Sequence, residues 1–501
     1  MDNISPKGWL NCKLGDVLFI RNGYAFKSKD FQKEGIPLIK QTNLQNTEVD
    51  ISKCVYLTKN YLKQYDNFIV NKGDLLISLS GSLGYISEYN EKYPALQNQR
   101  TGLITIFGVD LISMAFIKYY FAIIPSLILA QGKGIGVQNI SSKAIEKMPF
   151  LLPPLTEQKR IAAKLDAVLP RVEKLKERLQ NVQELIKQFR QSVLNAAVTG
   201  KLTEEWREEN PSVESAEILL QQIMKFRLKN VISKRELNFI KKNYKTGSER
   251  LKNKISKYKL PKSWCFCEIN NIGNVYNGST PSRKSKEYWN GNINWVSSGE
   301  VANSIIAKTR ETITKIGFEN SSVKLFPKGT VLIAMIGEGK TRGQAAILNI
   351  ESTCNQNVAA VILNHGFVLS RYLFYWFFMQ YEHNRRLGSG SGPKALNCQR
   401  VRELDFILPP LAEQKEIIRQ VDAFFAVAEK LEKRLIPITT RVEQLGQSVL
   451  TKAFRGELVI TETELAEKEN RSYETAEELL VRIKAEKQKL EAERKKGKYR
   501  K

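Results

Sequence analysis

Residues Leu152 to Leu202 recur without a gap as Leu408 to Leu458, an offset of 256 (408 − 152), so the chain must fold one plan twice. Both copies open alike, with Leu152-Pro153-Pro154-Leu155 and Glu157-Gln158-Lys159 in the first and Leu408-Pro409-Pro410-Leu411 and Glu413-Gln414-Lys415 in the second. They close alike too, on Gln191-Ser192-Val193-Leu194, Ala197, Gly200 and Leu202, and on Gln447-Ser448-Val449-Leu450, Ala453, Gly456 and Leu458. Roughly 20 identities in about 50 positions exceed what shared helical composition gives, and a period near half the chain marks a duplicated unit rather than a solenoid.

Inside the copies the apolar residues step by four and three. The first series is Ile161, Leu165, Val168, Val172, Leu175, Leu179, Val182, Ile186, Phe189 and Val193. The second is Ile417, Val421, Phe424, Ala428, Leu431, Leu435, Ile438, Val442, Leu445 and Val449. This is a heptad seam. A helix from Thr156 to Ala197 would be about 63 Å long, more than a small globular domain can cover. The other copy is the partner at hand, which predicts an intramolecular antiparallel coiled coil; the alternative is that each helix packs on its own neighbouring domain. The Pro-Pro pairs forbid helix just before the start and Gly200 and Gly456 supply the stop, while Pro170 and Pro437 predict a local kink in each helix.

About 150 residues precede the first helix and a similar stretch separates Pro261 from Phe406, each enough for a domain. Both stretches read as mixed α/β with many short strands. Trp9 and Trp264 lead strand-like runs, and Ile36-Pro37-Leu38-Ile39 answers Ile293-Asn294-Trp295-Val296. The run Val70–Ile77 answers Phe326–Ile333, and Asn98-Gln99 answers Asn355-Gln356 before another apolar run. The frames agree while most side chains differ, as expected of one scaffold carrying two binding surfaces.

The net charge of +26, from 78 Lys and Arg against 52 Asp and Glu, points to a polyanion, with nucleic acid the leading reading and a membrane-surface or ribosome-associated role the alternatives. The N-terminus has no basic start followed by an apolar core, and no run of about 18 apolar residues occurs, so the expectation is a soluble cytoplasmic protein. Six scattered cysteines and two histidines make a zinc site improbable and fit free thiols.

The candidate DNA contacts lie in and beside glycine-rich loops. In the first domain they are Lys133, Gln138 and Asn139, around Gly132–Gly136. In the second they are Arg283 and Lys284, then Lys340, Arg342 and Gln344 in the Gly337–Gly343 loop, and Lys394, Gln399 and Arg400 after Gly388–Gly392. The Gly337–Gly343 loop is not a phosphate-binding P-loop, because Ala334 stands where the first glycine should be and no helical run follows. It reads as a close backbone approach to DNA, with cations on phosphate or guanine and the amide on adenine, or else as a solvated hairpin. Residues 225 to 262 carry only Glu236 and Glu249 against a run of Lys and Arg, and the C-terminus is also basic; each is a nonspecific DNA contact or a plain charged strap. Ahead of each, Ser215–Leu220 and Thr475–Leu480 repeat a short helix signature.

Enzymatic motifs are missing. The Pro-Pro pairs are flanked by leucines, so no Asn-Pro-Pro-aromatic or Asp-Pro-Pro-aromatic tetrapeptide is present to hold an exocyclic amine for methylation. No Pro-Asp dipeptide begins a nuclease metal site, and neither His365 nor His383 has a partner motif.

Two globular domains, each followed by Leu-Pro-Pro-Leu-x-Glu-Gln-Lys and a long helix ending in Gln-Ser-Val-Leu-x-x-Ala-x-x-Gly-x-Leu, closely resemble the DNA-specificity subunit of type I restriction-modification systems over essentially the whole chain. The resemblance implies an α/β (mixed) fold with two target-recognition domains separated by two long helices in pseudo-two-fold arrangement. Each domain would read one half of a bipartite DNA target with a fixed unread gap. The expected layout is recognition domain 1 at 1–151, spacer helix 1 at 152–202, a short helix and basic linker at 203–260, recognition domain 2 at 261–407, spacer helix 2 at 408–458, and a C-terminal helix and basic tail at 459–501. The implied partners are double-stranded DNA, two modification subunits that bind S-adenosylmethionine and methylate adenine, and two ATP-driven restriction subunits requiring Mg, in the cytoplasm of a bacterium or archaeon. Cofactors would sit in those partners and none in this chain, which would be non-catalytic. The helices' motif positions are expected to form the spacer and partner region: Pro153, Pro154, Glu157, Gln158, Leu175, Ser192, and Pro409, Pro410, Glu413, Gln414, Leu431, Ser448. The alternatives are a single-chain restriction or modification enzyme, and a coiled-coil adaptor without sequence-specific binding.

Overall fold

The computed structural model describes residues 5–45, 47–81, 84–130, 139–231, 234, 237–238, 240–241, 260–337, 339–387 and 396–498. It divides into two compact units, one of residues 1–179 with 436–501 and the other of residues 180–435. The second cut falls 256 residues after the first (436 − 180), so the sequence repeat is also the repeat of the packing. Each unit takes the first part of one long helix and the last part of the other.

In the first unit, strand Leu10–Lys13 pairs antiparallel with Pro149–Leu152, so the domain's first and last strands meet just before Pro153 and Pro154. Between them lie two four-stranded sheets. One is wholly antiparallel, ordered Leu18–Asn22, Thr101–Ile106, Leu75–Ser78, Ile86–Glu88. The other is mixed, ordered Val55–Leu57, Ile36–Ile39, Ala95–Gln97, Ile69–Val70, with its middle pair parallel. All four residues of Ile36–Ile39 and of Leu75–Ser78 are buried, as unbroken apolar runs require of strands covered on both faces.

The second unit repeats this. Strand Cys265–Glu268 pairs with Asp405–Leu408. A five-stranded sheet is ordered Asn274–Asn277, Val358–Ile362, Val331–Ala334, Ala345–Leu348, Ser304–Ile306, the last strand being an addition to the first unit's plan. A three-stranded sheet holds Glu311–Ile313, Trp289–Val296 and Thr353–Cys354. Trp295 and Val296 are buried there, while Ile293 is half-buried. Each domain is mixed α/β.

The long helices run Leu155–Thr199 and Leu411–Phe454, continuous through Pro170 and Pro437. Each stops at a glycine with positive φ, Gly200 at 78° and Gly456 at 72°. A Cβ on either would press on a proline ring, 2.5 Å from Pro261 and 2.6 Å from Pro6, so both conformation and space demand glycine. The helices pair antiparallel in each unit. In the second, Arg190 bonds Glu432 at 2.9 Å and the Phe189 and Phe424 rings lie 5.9 Å apart. In the first, Gly446 faces Val172. The seam is buried at Ile161, Leu165, Val172, Ile186 and Val193 and at Ile417, Val421 and Ala428, but two helices alone leave other seam positions open: Leu175 is 42% exposed and Leu431 46%. Ser192 and Ser448 are exposed as well.

The Glu-Gln pair that follows each Pro-Pro is interior. Pro153, Pro154, Glu157, Gln158 and their counterparts Pro409, Pro410, Glu413, Gln414 are all buried. Gln158 accepts from Ser113 N at 3.0 Å and donates to Pro153 O at 3.0 Å; Gln414 accepts from Leu369 N at 2.9 Å and donates to Pro409 O at 3.1 Å. Glu157 accepts from the Trp9 indole at 2.7 Å and from Glu462 N at 2.8 Å. Glu413 accepts from the Trp264 indole at 2.7 Å and from Thr203 Oγ1 and Arg207 Nη1, both at 2.6 Å. These residues were expected in a spacer and partner region. Their side chains are consumed inside the chain, tying each helix start to the domain before it and to the segment that follows the other helix.

Those following segments dock alike. Helix Ala216–Lys229 buries Ala216, Leu219 and Ile223 on the second domain, and helix Ala476–Lys498 buries Ala476, Leu479 and Ile483 on the first. The spacing i, i+3, i+7 puts each trio on one face. The basic strap between 225 and 262 lies mostly outside the described residues, as do 499–501 of the tail. Among the described residues no helix is long and apolar enough to cross a membrane.

Replacing Trp264 by Phe removes a hydrogen bond to a buried carboxylate while keeping an aromatic ring. We expect a loss of about 1.5–3 kcal/mol in denaturant unfolding of the second unit, the range for hydrogen bonds to charged groups. An unchanged midpoint would show that Glu413 is not a structural node.

Candidate nucleic-acid interface

Three chain segments converge in each domain through matching backbone hydrogen bonds. In the first, Asn98 N donates to Ile39 O at 2.9 Å, Leu79 N to Arg100 O at 3.0 Å and Ile140 N to Leu79 O at 2.9 Å. In the second, Asn355 N donates to Val296 O at 3.0 Å, Met335 N to Asn357 O at 2.8 Å and Leu396 N to Met335 O at 2.9 Å. The Asn-Gln turn carries the chain from the small sheet to the central one. The glycine loop after the central strand lies beside it, and the chain returning from the second glycine loop lies beside that. Leu79 and Ile140 in the first domain, and Met335 and Leu396 in the second, therefore lie beside the Asn-Gln turn.

Glycine makes this packing possible. A Cβ on Gly23 would sit 2.1 Å from Asn98 O, and one on Gly278 2.1 Å from Asn355 O. Backbone meets backbone there, and neither side can yield cheaply. Asn98 and Asn355 are buried, at 9% and 8% exposure, while Gln99 and Gln356 beside them are exposed. Around the first turn stand Arg100, exposed and held at φ 68°, and Gln41, hydrogen-bonded to Ser80. Tyr24 is 41% exposed over Phe26, Tyr65 and Phe68, with ring centroids 4.7 to 5.5 Å away. Around the second turn, the Thr280 hydroxyl donates to the Gln356 side-chain carbonyl.

The residues expected to contact DNA fall into several groups. Lys133, Gln138 and Lys394 lie outside the described residues. Asn139 is exposed and forms a β-bridge with Ser80. Lys340 is exposed and Gln344 half-buried in the loop leading from Met335. Gln399 and Arg400 are exposed on helix Cys398–Arg402, just after Leu396, with Gln399 donating to Glu403 at 2.7 Å. Lys284 is exposed. Arg283 is committed within the domain: it pairs with Glu311 and lies 3.7 Å from the Trp289 ring centroid, and the pair raises the arginine's pKa and lowers the carboxylate's. Arg342 was expected on phosphate or guanine but is buried at 8% exposure, so it belongs to the loop's interior and is no surface cation. Strand Ala345–Leu348, not a helix, follows this loop, in keeping with the failed P-loop pattern. Sequence reasoning registered Asn98-Gln99 and Asn355-Gln356 as matching frames and passed over Gln99, Gln356, Gln41 and Tyr24 as site residues. The repeated dipeptide was the available signal.

The described residues offer little chemistry beyond binding. Burial pushes the Cys12 and Cys265 thiols up to about 12 and that of Cys54 up to about 11, away from thiolate reactivity. His365 has Nε2 2.7 Å from Ile272 O and packs on Phe226 and Phe367; burial lowers its pKa. No group of three or more His, Cys, Asp or Glu among the described residues could hold a metal.

Substituting Gly278 by Ala should cost about 1–3 kcal/mol in unfolding free energy, the range for overpacking a filled site. Gly366→Ala, where a Cβ meets nothing within 4 Å, is the control and should leave the midpoint unchanged. Equal midpoints for the two variants would contradict the tight Asn-Gln turn.

The family model for the type I restriction modification DNA specificity domain matches the chain twice, at residues 6–184 and 261–439. The EcoBI specificity subunit of Escherichia coli is 28% identical over 496 residues, covering 95% of this chain and 92% of that protein. The StySPI specificity subunit of Salmonella potsdam is 27% identical over 474 residues, covering 90% of each. Among solved structures, a chain from work on complex assembly and conformational transition of the type I R-M system superposes with a TM-score of 0.64 at 16% identity, over 91% of this chain and 99% of that one. The HsdS subunit of Thermoanaerobacter tengcongensis gives 0.50 at 15% identity, over 91% and 98%. With two copies of its domain spread over most of the sequence, the chain belongs to the type I restriction-modification DNA specificity family.

Proposed function

We propose that this chain is the non-catalytic specificity subunit of a type I restriction-modification complex, each α/β domain reading one half of a bipartite DNA target across an unread gap. The observation that carries this reading is the pair of equivalent three-segment junctions, built on the same backbone hydrogen bonds but flanked by different side chains. Phosphate contacts position a protein on DNA and base contacts specify the sequence, so differing loops on a common frame suit two different half-sites. The +26 charge supplies the sequence-independent attraction.

Methylation and cleavage would belong to partners carrying S-adenosylmethionine, ATP and Mg, with the complex acting on DNA in the cytoplasm. The helices support a paired arrangement of modification subunits. Leu175 and Leu431, Val182 and Ile438, and Phe189 and Leu445 are equivalent by the 256-residue offset, and all six are between 38% and 46% exposed. Two equivalent apolar strips on one chain suit two copies of one partner, and two restriction subunits would follow the same count. Because each long helix leaves one unit and enters the other, its length would set the gap.

The test is a domain exchange. Replacing residues 1–151 with the corresponding domain of another family member, in a complex reconstituted with modification subunits, should change one half of the methylated sequence and leave the other half intact. A change in both halves would overturn modular reading.

A further inference from the structure

The duplication supplies an internal comparison that separates what reads sequence from what holds DNA. At the Asn-Gln turn the neighbours differ between the domains: Arg100 stands against Asn357, Tyr24 against Ser279 and Gln41 against Ser298. The dipeptide itself does not differ. Asn98 and Asn355 are accounted for by folding, since each is buried and anchors its turn to the small sheet through Ile39 O or Val296 O. The glutamines have no such account. Both are exposed, and the Gln99 side chain has no hydrogen-bond partner among the described residues. Gln356 is oriented: its carbonyl accepts the Thr280 hydroxyl, which leaves the NH2 to donate outward.

We infer that Gln99 and Gln356 are sequence-independent DNA anchors, each donating its side-chain amide to the phosphate and sugar backbone at the same place in either half-site. The inference rests on the specificity-subunit reading. A residue shared by two domains that read different half-sites carries no information about the difference, whereas every half-site offers the same phosphate acceptors. The rigid turn gives the donor a fixed position: glycine packed under the turn and a buried asparagine leave the glutamine little backbone freedom. Such an anchor would set the register from which the variable neighbours reach base edges.

The experiment uses the full chain in complex with its modification subunits, after the wild-type target has been found by mapping methylated adenines. Affinity is measured for target DNA and for DNA with scrambled half-sites, for wild type, Gln99→Ala, Gln356→Ala, and the Glu replacements at both positions. Each Ala variant should lose about two- to tenfold in affinity for target and scrambled DNA alike, the factor of one net hydrogen bond, with the methylated sequence unchanged. The Glu variants should lose more, because a carboxylate repels phosphate. A changed half-site in the methylated sequence would show that the glutamine reads a base, and unchanged affinity in all four variants would show that it touches no DNA; either overturns the inference. A wild-type complex that binds target and scrambled DNA equally would overturn the underlying specificity reading instead, so the two failures are distinguishable.

Discussion

A buried carboxylate at the start of each long helix holds the architecture together. Glu157 and Glu413 accept indole hydrogens from Trp9 and Trp264, and each also takes donors from the segment that follows the other long helix. Burial raises the Glu157 pKa, against the Glu462 N–H and the Trp9 indole, which lower it. A buried acceptor is expensive to leave unpaired, so each of these groups commits its donors to one geometry. The consequence is topological. The segment after the second helix, near the C-terminus, takes up at the first domain the place that residues 203–229 take up at the second, and the two units come out equivalent although one is continuous in sequence and the other is assembled from both ends.

That equivalence separates scaffold from surface. The closing strand pairs, the Glu-Gln locks, the glycine stops and the three-segment hydrogen bonds recur with a nearly constant offset, while the side chains beside them differ. A frame fixed by backbone hydrogen bonds and buried side chains tolerates replacement of its exposed loop residues, which is the physical condition for changing a recognised sequence without changing the fold. The exposed positions of the helix seam, Leu175 and Leu431 among them, have a related cause, since two helices cannot bury a stripe that a larger bundle could cover.

Much of this was legible in the sequence because it depends on local rules. The heptad spacing, the Pro-Pro starts and the glycine stops gave helices whose observed ends, Leu155–Thr199 and Leu411–Phe454, extend by one or two residues beyond the Thr156–Ala197 expected for the first. The matching frames placed the strands Ile36–Ile39 and Val331–Ala334. What stayed hidden depends on contacts distant in sequence. Glu157 and Gln158 carry the charge and polarity of surface residues, and only the Trp9 and Ser113 contacts show why they are interior. Arg342 and Arg283 had the composition of DNA contacts, yet Arg342 is buried and Arg283, though exposed, is engaged by Glu311 and Trp289. Gln99 and Gln356 were visible as a repeat, but only the fold shows the asparagine of each pair buried and the glutamine exposed.

The central claim is that one chain presents two equivalent but differently furnished reading faces to one DNA duplex. Genome-wide mapping of methylated adenines produced by this chain with its modification subunits tests it most directly. The account predicts a single motif of two specified blocks separated by an unspecified gap of constant length. One continuous motif, or two blocks at freely varying separation, would contradict it.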